Sequence, residues 1–436
     1  MTQLQPAVAT ESLRSWPCYP AYKDSGITTL GEVPVHWGVK RLKYVARLEY
    51  GEALSAQDRE PGDIPVFGSN GIVGEHSRAN TLAPCLVVGR KGSFGKVVLS
   101  DVPSFVIDTA YFIDRSRTVQ EFRWLYYSLL CLRLDEISQD TGVPGLSREL
   151  AHNSPMPVPP LPEQRAIAAF LDRETARLDA LVTAKERLIA LLQEKRDALI
   201  NHAVTRGLDP AASMKDSGVS WLGEIPEHWE VKRTKYVARL ESGHTPSRQH
   251  PEYWVNCTIP WVSLADVWQL RDGLREYVED TSEYVSELGI ANSSARLLPA
   301  GTVIVSRTAS VGFSGIMARP MATTQDFANW VCGPYVRSEY LLYVFRSMEH
   351  EFRRLTMGST HQTIYMPDIG SFTTPVPPLS EQDAIVAHIR LETGKIDALT
   401  SKVKRHIDKL KEYRAALISA AATGKIDVRD QVAANE

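Results

Sequence analysis

The chain has 436 residues, enough for two or three domains with separate cores, and its 43% hydrophobic and 23% charged content is that of ordinary globular protein. No apolar run approaches the ~18 residues needed to span a bilayer, and the opening MTQLQPAVATESLRSW lacks the basic and apolar regions of a secretory signal, so residues 1–22 read as a loosely held lead-in. A net charge of −3 shows no basic surplus of the kind typical of nucleic-acid binders, although total charge does not report local patches. Cys18, Cys85, Cys131, Cys257 and Cys332 are scattered, without CxxC or zinc-ligand spacing, and read as reduced thiols of a cytoplasmic protein.

In chain order, the first element is a block that is written twice. Residues 23–51, KDSGITTLGEVPVHWGVKRLKYVARLEYG, match residues 215–243, KDSGVSWLGEIPEHWEVKRTKYVARLESG, at 21 of 29 positions. Trp37 and Trp229 are expected in the core, each anchoring the first strand of the segment it opens. Lys40, Arg41 and Lys43, with Lys232, Arg233 and Lys235, are read either as phosphate contacts or as solvated cations.

The segments that follow, 52–156 and 244–374, show no recognisable repeat of each other. Strands are expected at 64–68, 85–90, 96–100 and 104–113 in the first, and at 302–307 and 314–318 in the second; helices are expected near 121–138 and 338–356. Between the strands lie Gly-punctuated loops, GSNGIVGEH (68–76) and GRKGSFG (89–95). Glycine lets a backbone approach a ligand closely, and Ser69, Asn70, Arg90, Lys91 and Ser93 supply groups suited to base edges and phosphates. The corresponding turn of the second segment, SRTASVG (306–312), offers Arg307, Thr308 and Ser310. Gln325 and Asp326, in a run that aligns loosely with 107–112, read as framework. Just ahead of the long helices, DTGVPGLSRE (140–149) and MGSTHQTIYMPD (357–368) bring Arg148, His361, Gln362 and Thr363. Each of these loops also fits a plain structural turn, and both readings stand.

A second block recurs as PVPPLPEQRAIAAFLDRETARLDAL from Pro157 and PVPPLSEQDAIVAHIRLETGKIDAL from Pro375, identical at 15 of 25 positions. The prolines favour an extended lead, Pro162 suits a first helical turn, and Ser380 with Asp383 resembles a capping box. Beyond them, Ile167, Leu171, Leu178, Leu181, Ile189, Leu192, Leu199 and Ala203 follow steps of three and four, as do Ile385, Ile389, Ile396, Leu399, Ile407, Leu410, Leu417 and Ala421. Two long helices ending near Gly207 and Gly424, each with one apolar seam, are expected to pair antiparallel. The expected fold is α+β with a pseudo-two-fold internal repeat.

Catalytic signatures are missing: the chain has no phosphate loop, no HExxH, no GxSxG, no Asn/Asp-Pro-Pro-Tyr/Phe tetrad and no acidic nuclease cluster. The order of repeated opening, variable insert and PVPPLxEQ-led helix, taken twice from about residue 23 to 425, resembles the specificity subunit of Type I restriction–modification systems. GSNGIVG, GRKGSFG and VSRTASVG resemble motifs of that family's target recognition domains.

The resemblance implies two β-rich target recognition domains, 23–156 and 208–374 (the latter with a linker at 208–214). It implies spacer helices at 157–207 and 375–425, forming a coiled coil, and a tail at 426–436. Each recognition domain reads half of a gapped double-stranded DNA target, and the helices set the gap and dock two methyltransferase subunits. Restriction subunits complete the complex. No cofactor is expected on this chain; S-adenosylmethionine, Mg²⁺ and ATP belong to the partners, and the chain is not catalytic alone. Within the family base-reading residues vary with the target, so none is carried over. A non-reading adaptor and a recognition subunit of another bipartite restriction system share these features.

Overall fold

A computed structural model describes residues 16–137, 145–357 and 362–431. They fall into two compact units, Met1–Glu186 with Val403–Glu436, and Arg187–Lys402, so each long helix contributes one half to each unit.

In the first unit the opening block makes a small ribbon, Tyr22–Asp24 against Glu32–Pro34, and then a strand, Gly38–Arg41, that pairs antiparallel with Pro155–Val158. The proline-rich lead is therefore a two-stranded edge, which proline tolerates because an edge leaves one side of the backbone unpaired. The insert forms two sheets. One has the order Glu49–Tyr50, Ala110–Asp114, Cys85–Gly89, Val97–Ser100; the other has the order Gly71–His76, Ile64–Gly68, Phe105–Val106.

The second unit repeats this plan. Met214–Asp216 pairs with Glu224–Pro226, and Glu230–Arg233 with Thr373–Val376. Its larger sheet runs Ala238–Ser242, Phe327–Cys332, Val303–Ser306, Ser314–Met317, with Tyr277–Val278 added at the edge; its smaller sheet runs Glu283–Val285, Ile259–Val262, Ala322–Thr323. Two inserts without recognisable sequence repeat thus share one topology, down to a short parallel strand beside the middle of each small sheet.

The expected run 104–113 is two strands, not one. Phe105–Val106 and Ala110–Asp114 belong to different sheets, and the chain crosses between them at Ile107–Thr109. The expected helix near 121–138 spans Phe122–Cys131, and that near 338–356 breaks at Met348 into Ser338–Ser347 and Glu349–Thr356. Gly51 and Gly243 are required by close approach: a Cβ there would lie 2.1 Å from the Ile107 carbonyl oxygen or from Thr323 Oγ1.

The long helices span Leu161–Arg206 and Leu379–Ala422, and Gly207 and Gly424 follow them with left-handed φ of 73° and 77°. The second begins before Ser380, and Asp383 pairs with Arg337 at 3.0 Å rather than capping it. Most seam residues are sheltered: Ile167, Leu171, Leu178, Leu192, Ile385, Ile389, Ile396, Ile407 and Leu417 are buried, and Ile189, Leu199 and Leu410 partly so. Leu181 and Leu399 are not; they are 42% and 44% exposed. The sheltered stripe passes instead through Thr175, Val182 and Arg196, and at the same relative positions through Thr393, Thr400 and Arg414. From Leu171 and Ile389 onward, with Lys185 and Val403 included, this makes an alternation of four and three, the step that holds a seam on one face; three-residue steps to Leu181 and Leu399 leave that face. Thr175 and Thr393 hide their hydroxyls by donating to Leu171 and Ile389 carbonyls, both at 2.7 Å.

Within each unit the helices run antiparallel. Asp179 meets Arg414 at 2.9 Å and Glu186 meets Lys411 at 3.8 Å in the first unit, and Arg196 meets Asp397 at 3.4 Å in the second. Under the repeat, the Arg196–Asp397 and Arg414–Asp179 pairs are equivalents.

A tryptophan of the opening block lies in the main core of each unit. Trp37 shares its core with Trp124, Phe170, Leu171, Leu417 and Ala421; Trp229 shares its core with Ile200, Val204, Trp330, Ile385 and Ile389. Residues 16–22, the described part of the lead-in, are more firmly held than expected. Tyr19 is buried, Trp16 packs edge-on against Phe170, and Pro17 accepts a backbone hydrogen bond at 2.7 Å from Asp427, in a segment where Ile426 and Val428 are also buried.

Candidate nucleic-acid interface

In the first unit the Gly-rich loops converge. A Cβ on Gly89 would lie 2.9 Å from the Ser69 carbonyl oxygen, so glycine there lets loop 68–71 lie directly on loop 89–95. Lys96 Nζ fixes Asn70 through its carbonyl and side-chain oxygens at 2.9 and 3.0 Å. Lys91 bridges to Gly145, which carries Arg148 to the same place. Arg90 and Arg148 stack on the ring of Tyr50, with guanidinium carbons 5.0 and 4.6 Å from its centroid. Ser69, Asn70, Arg90, Lys91, Ser93 and Arg148 therefore form one cluster. Asn70, Lys91 and Ser93 are exposed, and Lys91 lies 3.9 Å from Asp108.

Arg90 is not a free reader. Its Nη1 donates to the Asp108 carbonyl at 3.1 Å, its backbone N–H to Thr109, and its own carbonyl accepts from Leu146. Arg307 does the same in the second unit: Nε donates to the Gln325 carbonyl at 2.9 Å, Nη1 to the Ile364 carbonyl at 3.0 Å, and its carbonyl accepts from Ile364 N–H. Each arginine latches the segment ahead of the long helix to the end of a central strand. Gln325 and Asp326 lie in the loop that Arg307 holds.

That latch places Thr308 against Thr363 and lets Ala309 N–H donate to the Gln362 carbonyl at 2.8 Å. Ser310 holds the turn through its carbonyl, which accepts from Ser306 Oγ. Arg307, Thr308, Ser310, Gln362 and Thr363 therefore form the second cluster; His361 lies outside the described residues.

Several exposed groups beside these clusters escaped sequence reasoning. Tyr50 is 45% exposed, Ile72 and Val73 stand out on the first hairpin, and Tyr365 projects beside Ile364. Tyr50 had a usable signal. It is Ser242 in the second copy, the last mismatch before the shared glycine, where the frame hands over to the insert. Ile72, Val73 and Tyr365 had none, since isolated apolar residues in variable loops read as core.

Burial, with the Arg148 and Arg47 cations nearby, pushes the pKa of His152 down. The neutral ring fits its contact, since Nε2 accepts from Leu48 N–H at 3.0 Å. Burial likewise pushes the Tyr111 phenol up, and its hydroxyl donates to the Leu146 carbonyl at 2.9 Å. Among the described residues no cluster of His, Cys, Asp and Glu suits a metal ion, and no helix is long and apolar enough to cross a membrane.

Comparison with known proteins accords with this geometry. The sequence profile described as "Type I restriction modification DNA specificity domain" matches residues 34–190 and again 226–404. The MjaIX specificity subunit of a Type I restriction enzyme of Methanocaldococcus jannaschii is 30% identical over 166 residues, a match covering 38% of each chain. The MjaVIII specificity subunit of the same organism is 24% identical over 327 residues, covering 73% of each. A chain solved in a study of assembly and conformational transition of the type I R-M system superposes with a TM-score of 0.67 at 17% identity, covering 89% of this chain and 98% of that one. With two matches to one profile, one in each repeat, the chain belongs to the family of Type I restriction–modification DNA specificity proteins.

Proposed function

We propose that this chain is the DNA-recognition subunit of a Type I restriction–modification complex, in which each insert reads one half of a bipartite, gapped target. The observation that carries this reading is a repeated frame holding two dissimilar loop clusters in one way. The Arg90 and Arg307 latches correspond in their side-chain bonds to the Asp108 and Gln325 carbonyls and in the backbone bonds they accept from Leu146 and Ile364, while the residues beside them, Asn70, Lys91 and Ser93 against Thr308, Gln362 and Thr363, differ. Different side chains on like scaffolds predict two different half-sites, in contrast to the palindrome read by a true homodimer.

The recognition domains are 23–156 and 208–374, and the helices at 157–207 and 375–425 form an antiparallel coiled coil that spaces them in a pseudo-two-fold arrangement. The recurring Asp179–Arg414 and Asp397–Arg196 pairs support that pairing. The coiled coil docks two methyltransferase subunits, restriction subunits complete the complex, and S-adenosylmethionine, Mg²⁺ and ATP bind those partners. The chain itself catalyses nothing and works in the cytoplasm.

Co-expression with a Type I methyltransferase subunit from the same genome and genome-wide mapping of methylated adenines tests this. The expected result is a single gapped, asymmetric motif that disappears when this chain is omitted. A stable complex with an active partner and no motif would overturn it in favour of a non-reading adaptor.

A further inference from the structure

The opening block holds a surface whose retention the fold does not explain. Residues 41–47 read RLKYVAR and residues 233–239 read RTKYVAR. Both form a single 3₁₀ turn, Leu42–Tyr44 and Thr234–Tyr236, with the same alternation of exposure. Val45, Ala46, Val237 and Ala238 are buried, as are Leu42 and Thr234 at 0% exposure each. The one difference between the copies is therefore a core residue. All four outward positions are identical: Arg41, Lys43, Tyr44 and Arg47 against Arg233, Lys235, Tyr236 and Arg239. Surfaces ordinarily drift faster than cores, since a solvated side chain is held by little.

Tyr44 and Tyr236 are 69% and 68% exposed, each with the neighbouring lysine over its ring at 5.3 and 5.6 Å. Arg47 and Arg239 pair with Glu49 and Glu241, which they share with Arg117 and Arg296. Arg41, Lys43, Arg233 and Lys235 have no carboxylate within ion-pairing distance among the described residues. In the first unit Arg41 and Lys43 reach only the amide oxygen of Asn153, at 3.4 and 3.3 Å. At the equivalent place the second unit has Ser371, yet the cations remain. An internal acceptor is thus not what keeps them.

We infer that these two turns are phosphate-binding clamps, which grip the DNA backbone in the same sequence-independent way beside both recognition clusters. The inference rests on the DNA-recognition reading above and adds the residues that supply affinity without specificity. A target whose halves differ in bases still presents the same phosphates to both units, so a backbone contact is the part of recognition that can stay identical while inserts diverge. Two unpaired cations beside a phenol that can donate a hydrogen bond suit that ligand. The position suits it too: Asn153 ends the short helix that begins at Arg148, about 7.5 Å away along its axis, and Arg148 sits in the first cluster.

The test is the salt dependence of binding of the full chain to a mixed-sequence DNA duplex, wild type against the combined R41Q, K43Q, R233Q and K235Q variant. Each lost phosphate contact should flatten the slope of log K against log salt by about 0.9, so by up to about 3.6 for the four. The methylated motif should not change, and K43R with K235R should keep the wild-type slope. An unchanged slope overturns the inference; if methyltransferase co-purification is lost as well, the turns dock protein instead. A wild-type chain that does not bind the duplex at all overturns the recognition reading itself.

Discussion

Trp37 donates its indole N–H to Glu163 at 3.0 Å, joining the opening block to the first turn of the long helix across 126 positions of sequence. His36 takes the other carboxylate oxygen at 2.8 Å, and Tyr19 donates to the same oxygen as Trp37 at 2.5 Å. Trp229 and His228 hold Glu381 in the same way, at 3.0 and 2.9 Å. The neighbouring glutamines complete the joint: Gln164 accepts from Glu121 N–H and donates to the Pro159 carbonyl, and Gln382 does so with Arg337 and Pro377. The repeated HW and EQ motifs are thus two halves of one clamp.

Removing that carboxylate should hurt the first unit more. In E163A the buried Trp37 N–H and Tyr19 O–H lose their acceptor, at about 1–3 kcal/mol for each unsatisfied group, so a loss on the order of 3 kcal/mol is expected. Among the described residues Glu381 has no tyrosine hydrogen-bond partner, and its side chain is 26% exposed against 6% for Glu163, so water can replace it and E381A should cost about half as much. Hydrogen exchange at 32–42 and 224–233 reads the two effects separately. Equal loss in both would refute the comparison.

Tyr50 is a platform for two guanidinium groups, each stacking worth about 0.5–1 kcal/mol at an exposed site. Y50A should weaken binding to the cognate duplex by roughly tenfold, a factor that follows from about 1.4 kcal/mol, and should relax only the half-site we propose the first unit reads. Competition binding with duplexes altered in one half or the other measures this, and relaxation of both halves would contradict it.

The pH dependence of the first unit should carry the signature of His152. Its folded pKa lies below the ordinary 6.5, so the neutral ring is the form the fold favours. That stability is complete above the unfolded pKa and is lost as pH falls through the folded one, because a protonated Nε2 cannot accept from Leu48 N–H. Denaturation of wild type and H152Q across pH 7 to 5 should show the wild type losing stability faster (a range centred about the histidine pKa). Parallel curves would mean that other groups carry the acid response.

Inserting four residues into both long helices, after Glu186 and after Lys402, should lengthen the spacer of the target by one or two base pairs, since each helix grows by about 6 Å. A four-residue insertion in a heptad pattern is absorbed by local unwinding. Methylome mapping reads the outcome; an altered half-site with an unchanged spacer would show that the helices do not set the gap.

Much of this protein is legible in its sequence because the signals are local or written twice. Repetition marked the frame, 3.5-residue periodicity marked the long helices, and Gly-punctuated runs of β-branched residues marked the strands at 64–68, 85–89, 303–306 and 314–317. What tertiary structure decided depends on partners distant in sequence. The seam shifts from Leu181 to Val182 and from Leu399 to Thr400 because the opposing helix, not hydrophobicity, selects the buried face. Residues 104–113 divide between two sheets because their neighbours at 64–68 and 85–89 belong to different sheets. Arg90 and Arg307 look in sequence like free cations in loops, yet the carbonyls of Asp108, Gln325 and Ile364 draw their guanidinium groups inward. A charge in a sequence has no direction until the fold places acceptors around it.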